Sequence, residues 1–275
     1  MPHIALERGA VAAITGGASG IGLAAARAFA ARGMAVAIAD LGADRLGSAA
    51  AQIGGDVLAM EVDVADPAAL TRFAAAVTAR FGGADVVMNN AGIGPDSSIL
   101  GPFEPWDRIL AVNLCGVIHG TRAFLPGMLD RARRGLIINT GSKQGITTPP
   151  GNPAYNISKA GVKAFTEALQ HDLRNRPGCE VSAHLLIPGF VFTGLTASAG
   201  GEKPDAAWTA DQTVAFMLTS LERGDFYILC PDNDVPRNLD EKRIAWAAGD
   251  IIENRPPLSR WHPDHADAFK VWAKS

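Results

Sequence analysis

Seven short apolar runs, separated by stretches of helical periodicity, constrain this chain more than any other feature. The runs fall at residues 10–14, 34–39, 57–60, 84–88, 135–139, 181–187 and 226–230 and are rich in Val, Ile, Leu and Ala. They are nearly continuous rather than alternating, as strands covered on both faces must be. Between them, 21–32, 67–81, 103–133 and 158–174 read as helices, the third with a break expected near Pro126. Strands alternating with helices make βαβ units and therefore a parallel sheet. The expected fold is α/β and doubly wound, with a seven-stranded, mainly parallel sheet and helices on both faces. One domain covers 1–275, of which 231–275 form a helical C-terminal extension. Its helices are expected at 239–253, capped by Asn238, and from about Pro263 onward.

Composition removes several function classes. The 275 residues carry 25 basic and 28 acidic side chains, a net charge of −3, and 48% of them are hydrophobic. That balance suits a packed enzyme or binding domain and opposes a polyanion-binding surface, so no nucleic acid partner is expected. Cys115, Cys179 and Cys230 lie far apart without metal-ligand spacing, so no metal is expected and a reducing, cytoplasmic setting is. His262 and His265 flank a helix start with an acidic first turn, which accounts for them without a metal. The N-terminus lacks a signal-peptide pattern and no apolar run approaches the roughly 18 residues of a spanning helix, so no membrane partner is expected.

The first apolar run leads into Thr15-Gly16-Gly17-Ala18-Ser19-Gly20-Ile21-Gly22, where a helix begins. Glycines let a backbone approach a pyrophosphate closely, and a helix start offers free amides to it. Gly16, Ser19, Gly20, Ile21 and Gly22 are therefore candidate phosphate-binding residues, in a spacing longer than the common dinucleotide fingerprint. The second run ends at Asp40, where an acid can accept from ribose hydroxyls and repel a 2′-phosphate. A turn or cap aspartate is the other reading of Asp40. Leu41 and Ser19 supply no cation for a 2′-phosphate, which favours NAD over NADP; Arg45 is the one nearby cation that points the other way.

Tyr155 and Lys159 are four residues apart, and on a helix they share a face. A free phenol titrates near 10, and a neighbouring cation favours its ionised form. The chain has only two tyrosines, Tyr155 and Tyr227; the second falls in the seventh run and is expected in a buried strand. Ser142 follows the fifth run, where open α/β sheets bind ligands beyond their strand ends.

Together with Asn89-Asn90-Ala91-Gly92 after the fourth run, these motifs resemble the short-chain dehydrogenase/reductase family over residues 8 to about 230. The resemblance implies a single Rossmann-fold NAD(P)-dependent oxidoreductase with the catalytic set Asn113, Ser142, Tyr155 and Lys159. It implies that Asp63 and Val64 hold the adenine, that Asn90, Ala91 and Gly92 flank the cofactor, that Tyr155 and Lys159 also contact it, and that Lys159 binds the nicotinamide ribose. It places Pro188, Gly189, Val191 and Thr193 at the carboxamide, and Asn113 at a water linked to Lys159. Tyr155 is then the acid/base, its pKa lowered by Lys159, and Ser142 donates a hydrogen bond to the reacting oxygen.

The substrate is expected to be a small molecule, an apolar or aryl secondary alcohol or its ketone, met by Ile93, Gln144 and Phe190, with Ile146 and Phe192 as further apolar candidates. The loop 194–208, small and flexible around 197–204, would act as a lid. Family members are usually homodimers or homotetramers, built on the helices 103–122 and 158–174. A dinucleotide-binding regulator without turnover, and an epimerase or dehydratase holding its NAD tightly, could use the same fold. A regulator is free to lose any of the four catalytic residues, and all four are present.

Overall fold

The computed structural model describes residues 4–196 and 201–274. Seven parallel strands form one sheet: β1 (Val11–Thr15), β2 (Ala35–Asp40), β3 (Val57–Glu61), β4 (Val86–Asn89), β5 (Gly135–Thr140), β6 (Val181–Ile187) and β7 (Tyr227–Leu229). Their order is β3-β2-β1-β4-β5-β6-β7, so the winding reverses between β1 and β4. Ligands of such sheets bind beyond the carboxyl ends of the strands at that reversal.

The helices are α1 (Gly20–Ala31), α2 (Ala43–Ile53), α3 (Pro67–Phe81), α4 (Glu104–Leu110), α5 (Gly116–Asp130), α6 (Gln144–Thr147), α7 (Pro153–Arg174), α8 (Ala210–Arg223), α9 (Arg237–Ile252) and α10 (Ala266–Lys274). Strands β1, β2, β4 and β5 bury both faces, which is why their sequences show no polar alternation. On one face Phe29, Ile14, Ile38 and Met217 pack beneath α1 and α8; on the other Phe73, Val77, Phe124 and Leu173 pack beneath α3, α5 and α7. Local chemistry marks the helix ends. Asp66 accepts from the Ala68 amide at 2.8 Å ahead of Pro67, and Gly82 closes α3 in the left-handed region. Thr209 and Gln212 form a reciprocal capping box on α8.

Four expectations are corrected. The helix break near Pro126 is absent: α5 runs through Pro126, because Phe124 and Met128 on either side are buried and outweigh the roughly 3 kcal/mol that an internal proline costs. The irregularity lies earlier, in a π-helical turn over Ala111–Cys115 that contains Asn113. Helix α9 starts at Arg237 behind Pro236, and Asn238 accepts from the adjacent Leu239 amide instead of capping. Tyr227 is 49% exposed, because β7 is the edge strand and its phenol donates to Glu167 on α7 at 2.5 Å. The continuous helical span Glu104–Asp130 is long and apolar enough to cross a membrane, but here it flanks the sheet, with Val117, Gly120, Thr121, Phe124 and Met128 buried.

The C-terminal extension folds back on the domain around Trp246. Its ring lies edge-on to Phe269 and 4.1 Å below the Arg255 guanidinium, and its indole N–H donates to Ser259 at 2.7 Å. Asp250 in turn accepts from the Ser259 amide and from Arg255, each at 3.0 Å.

Candidate active site

The phosphate loop is pinned across the reversal point. Thr15 Oγ1 accepts from the amides of Asn90 and Ala91 at 3.0 and 3.2 Å, and Asn90 Nδ2 donates to the carbonyls of Thr15 and Gly16. Thr140 Oγ1 donates to Asn90 Oδ1 at 3.3 Å, so one asparagine joins the ends of β1, β4 and β5. Gly16 takes φ +66°, and a Cβ there would sit 2.8 Å from Ala91 Cα. A Cβ on Gly22 would collide with the Gly16 carbonyl, so this loop and helix approach each other only without side chains. Ser19 stands at the N-cap of α1 but makes no side-chain cap hydrogen bond, which leaves the first-turn amides without a capping acceptor. Ile21 packs its side chain on the core. A glycine-lined cradle ending in uncapped amides fits a dinucleotide pyrophosphate.

Asp40, at the end of β2, accepts from the Ala18 amide at 2.9 Å and the Leu41 amide at 2.8 Å. Arg45 lies 3.5 Å from it and donates to the Leu41 carbonyl at 2.7 Å. Asp63 is exposed and accepts from the Ala65 amide, while Val64 is buried against Gly116.

The proposed chemical residues converge at the ends of β4 and β5. Lys159 is 4% exposed and donates through Nζ to the Thr140 carbonyl at 2.9 Å. It lies 5.8 Å from the centre of the Tyr155 ring. Gly92 touches both sides of this group: a Cβ there would be 3.4 Å from Asn113 Oδ1 and 3.7 Å from Lys159 Nζ. Ser142 accepts from the Gln144 amide and hydrogen-bonds the Tyr155 phenol. Asn152 caps α7 by accepting from the Tyr155 amide at 3.2 Å, and it donates to Pro95 while Ser97 donates to it at 2.6 Å. The polar loop-to-helix clamp of Ser97 and Asn152 was not legible as such, because its halves are separated by more than fifty residues.

Electrostatics correct one expected role. Burial raises the Tyr155 pKa above its ordinary value, and the hydrogen bond from Ser142 offsets only part of that. Burial also pushes Lys159 itself down to about 8. Exclusion of water destabilises phenolate and ammonium alike, which opposes the Coulomb attraction between them. Asn113 is anchored to the Ile93 segment, accepting from the Ile93 amide at 2.8 Å and donating to the Ile93 carbonyl at 2.9 Å.

Of the segment after β6, Pro188 O accepts from the Lys143 amide, Gly189 rests on Asp232 and Lys143, and buried Val191 bridges to Trp208. Thr193 lies against Gly20, whose Cβ would be 3.1 Å from its methyl, so this segment reaches the phosphate loop. Gln144 is exposed, Ile93 is half-buried and Phe190 is 38% exposed. Ile146, partly buried, packs against a small core that includes Leu229 and Ile187. Leu195 emerges as a wall residue: a Cβ on Gly94 would be 3.3 Å from Leu195 and 3.8 Å from the Tyr155 ring. Of the expected lid, residues 197–200 lie outside the described residues. A groove of about 550 Å³ lined by Ala24, Arg27, Asp211 and Val214 lies between α1 and α8.

The short chain dehydrogenase family pattern matches residues 10–203. The chain belongs to this family. Its seven-stranded α/β fold is that of a short chain dehydrogenase, an oxidoreductase. It is 33% identical over 262 residues to 1-deoxy-11-beta-hydroxypentalenate dehydrogenase of Streptomyces exfoliatus, covering 91% of this chain and 93% of that protein. Mycobacterial proteins named "Probable oxidoreductase EphD" are 36% identical over 195 residues, and the chain spans only 32% of their length. A short chain dehydrogenase/reductase from Burkholderia phymatum, solved in complex with NAD, superposes with a TM-score of 0.82 at 29% identity, covering 93% and 98% of the two chains. An alcohol dehydrogenase from Thermococcus sibiricus, complexed with 5-hydroxy-NADP, gives 0.70 at 30% identity over 77% of this chain and 90% of that one.

Proposed function

We propose that this short chain dehydrogenase interconverts an apolar or aryl secondary alcohol and its ketone, using NAD and Tyr155 as general acid/base. The observation that carries this reading is the meeting of Tyr155, Ser142 and buried Lys159 beside the glycine cradle, at the one reversal point of the sheet. A bound nicotinamide supplies the acceptor or donor of hydride. During oxidation Tyr155 takes the hydroxyl proton of the substrate; during reduction it returns one to the carbonyl oxygen. Ser142 donates to the same oxygen and holds it within reach of the phenol. Lys159, held by the Thr140 carbonyl, supplies the charge that favours loss of the phenolic proton once a ribose brings hydroxyls to it. Asn113 positions Gly92 and Ile93 beside Lys159. Gly94, Leu195 and Phe190 give the mouth its apolar character.

Asp63 and Val64 are assigned to the adenine, and Pro188, Gly189, Val191 and Thr193 to the carboxamide. NAD is favoured because Asp40 faces the ribose position while Arg45 is held by Asp40 and Leu41. Asp40→Ser is expected to weaken NAD binding about tenfold and to narrow the NAD/NADP preference by a similar factor. Equilibrium titration of both cofactors checks this, and an unchanged preference removes Asp40 from selection. The overall reading is tested by following nicotinamide absorbance with NAD and a panel of secondary alcohols. NAD binding without turnover on any of them would sink it in favour of a regulator.

Exposed Ile99, Leu100, Phe103 and Ile157, on and beside α4 and α7, support assembly as a homodimer or homotetramer. Sedimentation is expected to show a Phe103→Glu variant shifted toward monomer, and an unshifted distribution would reject this face. The three cysteines are unpaired, which supports the proposed reducing, cytoplasmic setting.

A further inference from the structure

At Lys143, the residue next to Ser142, three charged side chains of low exposure come together. Lys143 Nζ lies 3.1 Å from Asp232 Oδ2 and 2.6 Å from Asp240 Oδ2, with side-chain exposures of 15%, 5% and 4%. Each comes from a different part of the chain. Lys143 follows Ser142 directly, Asp232 lies just past β7, and Asp240 is on α9 in the C-terminal extension. The family pattern ends at 203, so both acids lie outside it.

The cluster holds backbone as well as charge. Asp232 Oδ2 accepts from the Phe190 amide at 3.1 Å, and its Oδ1 accepts from the Val235 amide at 2.8 Å. The Lys143 amide donates to the Pro188 carbonyl at 3.3 Å. A Cβ on Gly189 would strike Asp232 and come within 2.8 Å of Lys143 Nζ, so the Pro188-Gly189 turn lies directly on the ion pair. Arg243 and Arg260 also face Asp240, and Arg237, at the start of α9, donates to the Leu229 carbonyl. The Trp246–Ser259–Asp250–Arg255 arrangement described above holds α9 to the segment that follows it. Buried ion pairs of this kind are poor sources of net stability, but their directional contacts specify geometry.

We propose that Lys143, Asp232 and Asp240 are positioning residues through which α9 sets the Ser142 turn and the Gly189–Val191 segment relative to each other. The extension thereby completes the chemical site without touching a reactant. This inference rests on the function proposed above, in which Ser142 orients the reacting oxygen and the 188–193 segment orients the nicotinamide.

The test uses the full chain as wild type, Asp240→Asn and Asp240→Glu, with two readouts. The first is amide hydrogen exchange without added cofactor. Asp240→Asn is expected to speed exchange about tenfold in 142–147 and in 189–193 while leaving 16–22 unchanged. The second is steady-state kinetics with NAD and a secondary alcohol, where kcat is expected to fall about tenfold, since small misplacements of catalytic groups are costly in rate. ADP-ribose affinity stays within about twofold, because ADP-ribose lacks the nicotinamide to which the 188–193 segment is assigned. Asp240→Glu, which keeps the charge, falls between the two in both readouts. Faster exchange confined to 237–252, or wild-type exchange in both loops, overturns the proposal. So does a kcat that is unchanged per folded molecule. Should Asp240→Asn not fold, Asp240→Glu decides on the same two segments. A wild type without turnover sinks the proposed function, and the exchange experiment still decides whether the cluster couples the two loops.

Discussion

Replacing Tyr155 by Phe is expected to lower kcat/KM for alcohol oxidation by a factor of about 10² to 10⁴, the usual worth of a positioned acid/base. The ring keeps its place against Gly94 and the helix keeps its Asn152 cap, so only the phenolic oxygen and its hydrogen bond with Ser142 are lost. Stability should change by no more than about 1 kcal/mol, the net worth of one such bond. NAD affinity should stay within about twofold, since the glycine cradle and Asp40 are far from the deleted atom. Turnover followed by nicotinamide absorbance, with NAD titrated separately, checks both halves. A variant that keeps more than a tenth of wild-type kcat/KM removes Tyr155 from the chemistry. A large loss of NAD affinity would instead give it a binding role.

The second large effect concerns Lys159 and has opposite signs for activity and stability. Lys159→Met should reduce turnover at least about 100-fold, because the phenol loses the cation that favours release of its proton. The same change should stabilise the cofactor-free protein at neutral pH. Burial lowers the lysine from 10.5 to about 8 in the folded state, so between those values the unfolded chain binds more protons than the folded one. The penalty is absent above about 10.5, grows as pH falls, and is complete below about 8. At roughly 1.4 kcal/mol per unit it reaches about 3 kcal/mol. The lost bond to the Thr140 carbonyl offsets about 1 kcal/mol of the gain. Thermal unfolding should therefore show the variant melting several degrees above wild type at pH 7, the difference closing as pH approaches 10. A melting temperature below wild type at pH 7 would mean that the ammonium is stabilising, and that the arrangement around Thr140 solvates it well.

Strand positions and the glycine loop were legible because each depends on a short stretch of chain. A strand buried on both faces must be apolar throughout, and a pyrophosphate cradle must lack side chains. The run at 181–187 coincides with β6 for that reason, and 67–81 coincides with α3 because Asp66, Pro67 and Gly82 mark its ends locally. Elements with weaker local signals were missed. Helix α2 has only Leu46 and Ala49 buried in a polar stretch, and α8 begins after a loop of small residues. Helix α7 starts at Pro153, five residues before the expected 158, because its cap, Asn152, answers to Ser97 and Pro95 in a distant loop. Pro126 suggested a break that packing overrode, and nothing local announced the π turn at Asn113.

What the sequence by itself determined is the set of groups able to do chemistry and their local order. The four-residue spacing of Tyr155 and Lys159 shares a helix face whatever surrounds it, and the Gly16–Gly22 loop needs no distant partner to be permissive. What only the tertiary structure decided is the state and the company of those groups. Burial sets the lysine near 8 and raises the phenol; Ile93 claims the Asn113 side chain; and α9 brings Asp240 to the residue next to Ser142. The physical reason is common to all three. Charge, solvation and hydrogen-bond partners depend on which distant segments exclude water from a site, and that becomes known only when the sheet has closed and the extension has folded back.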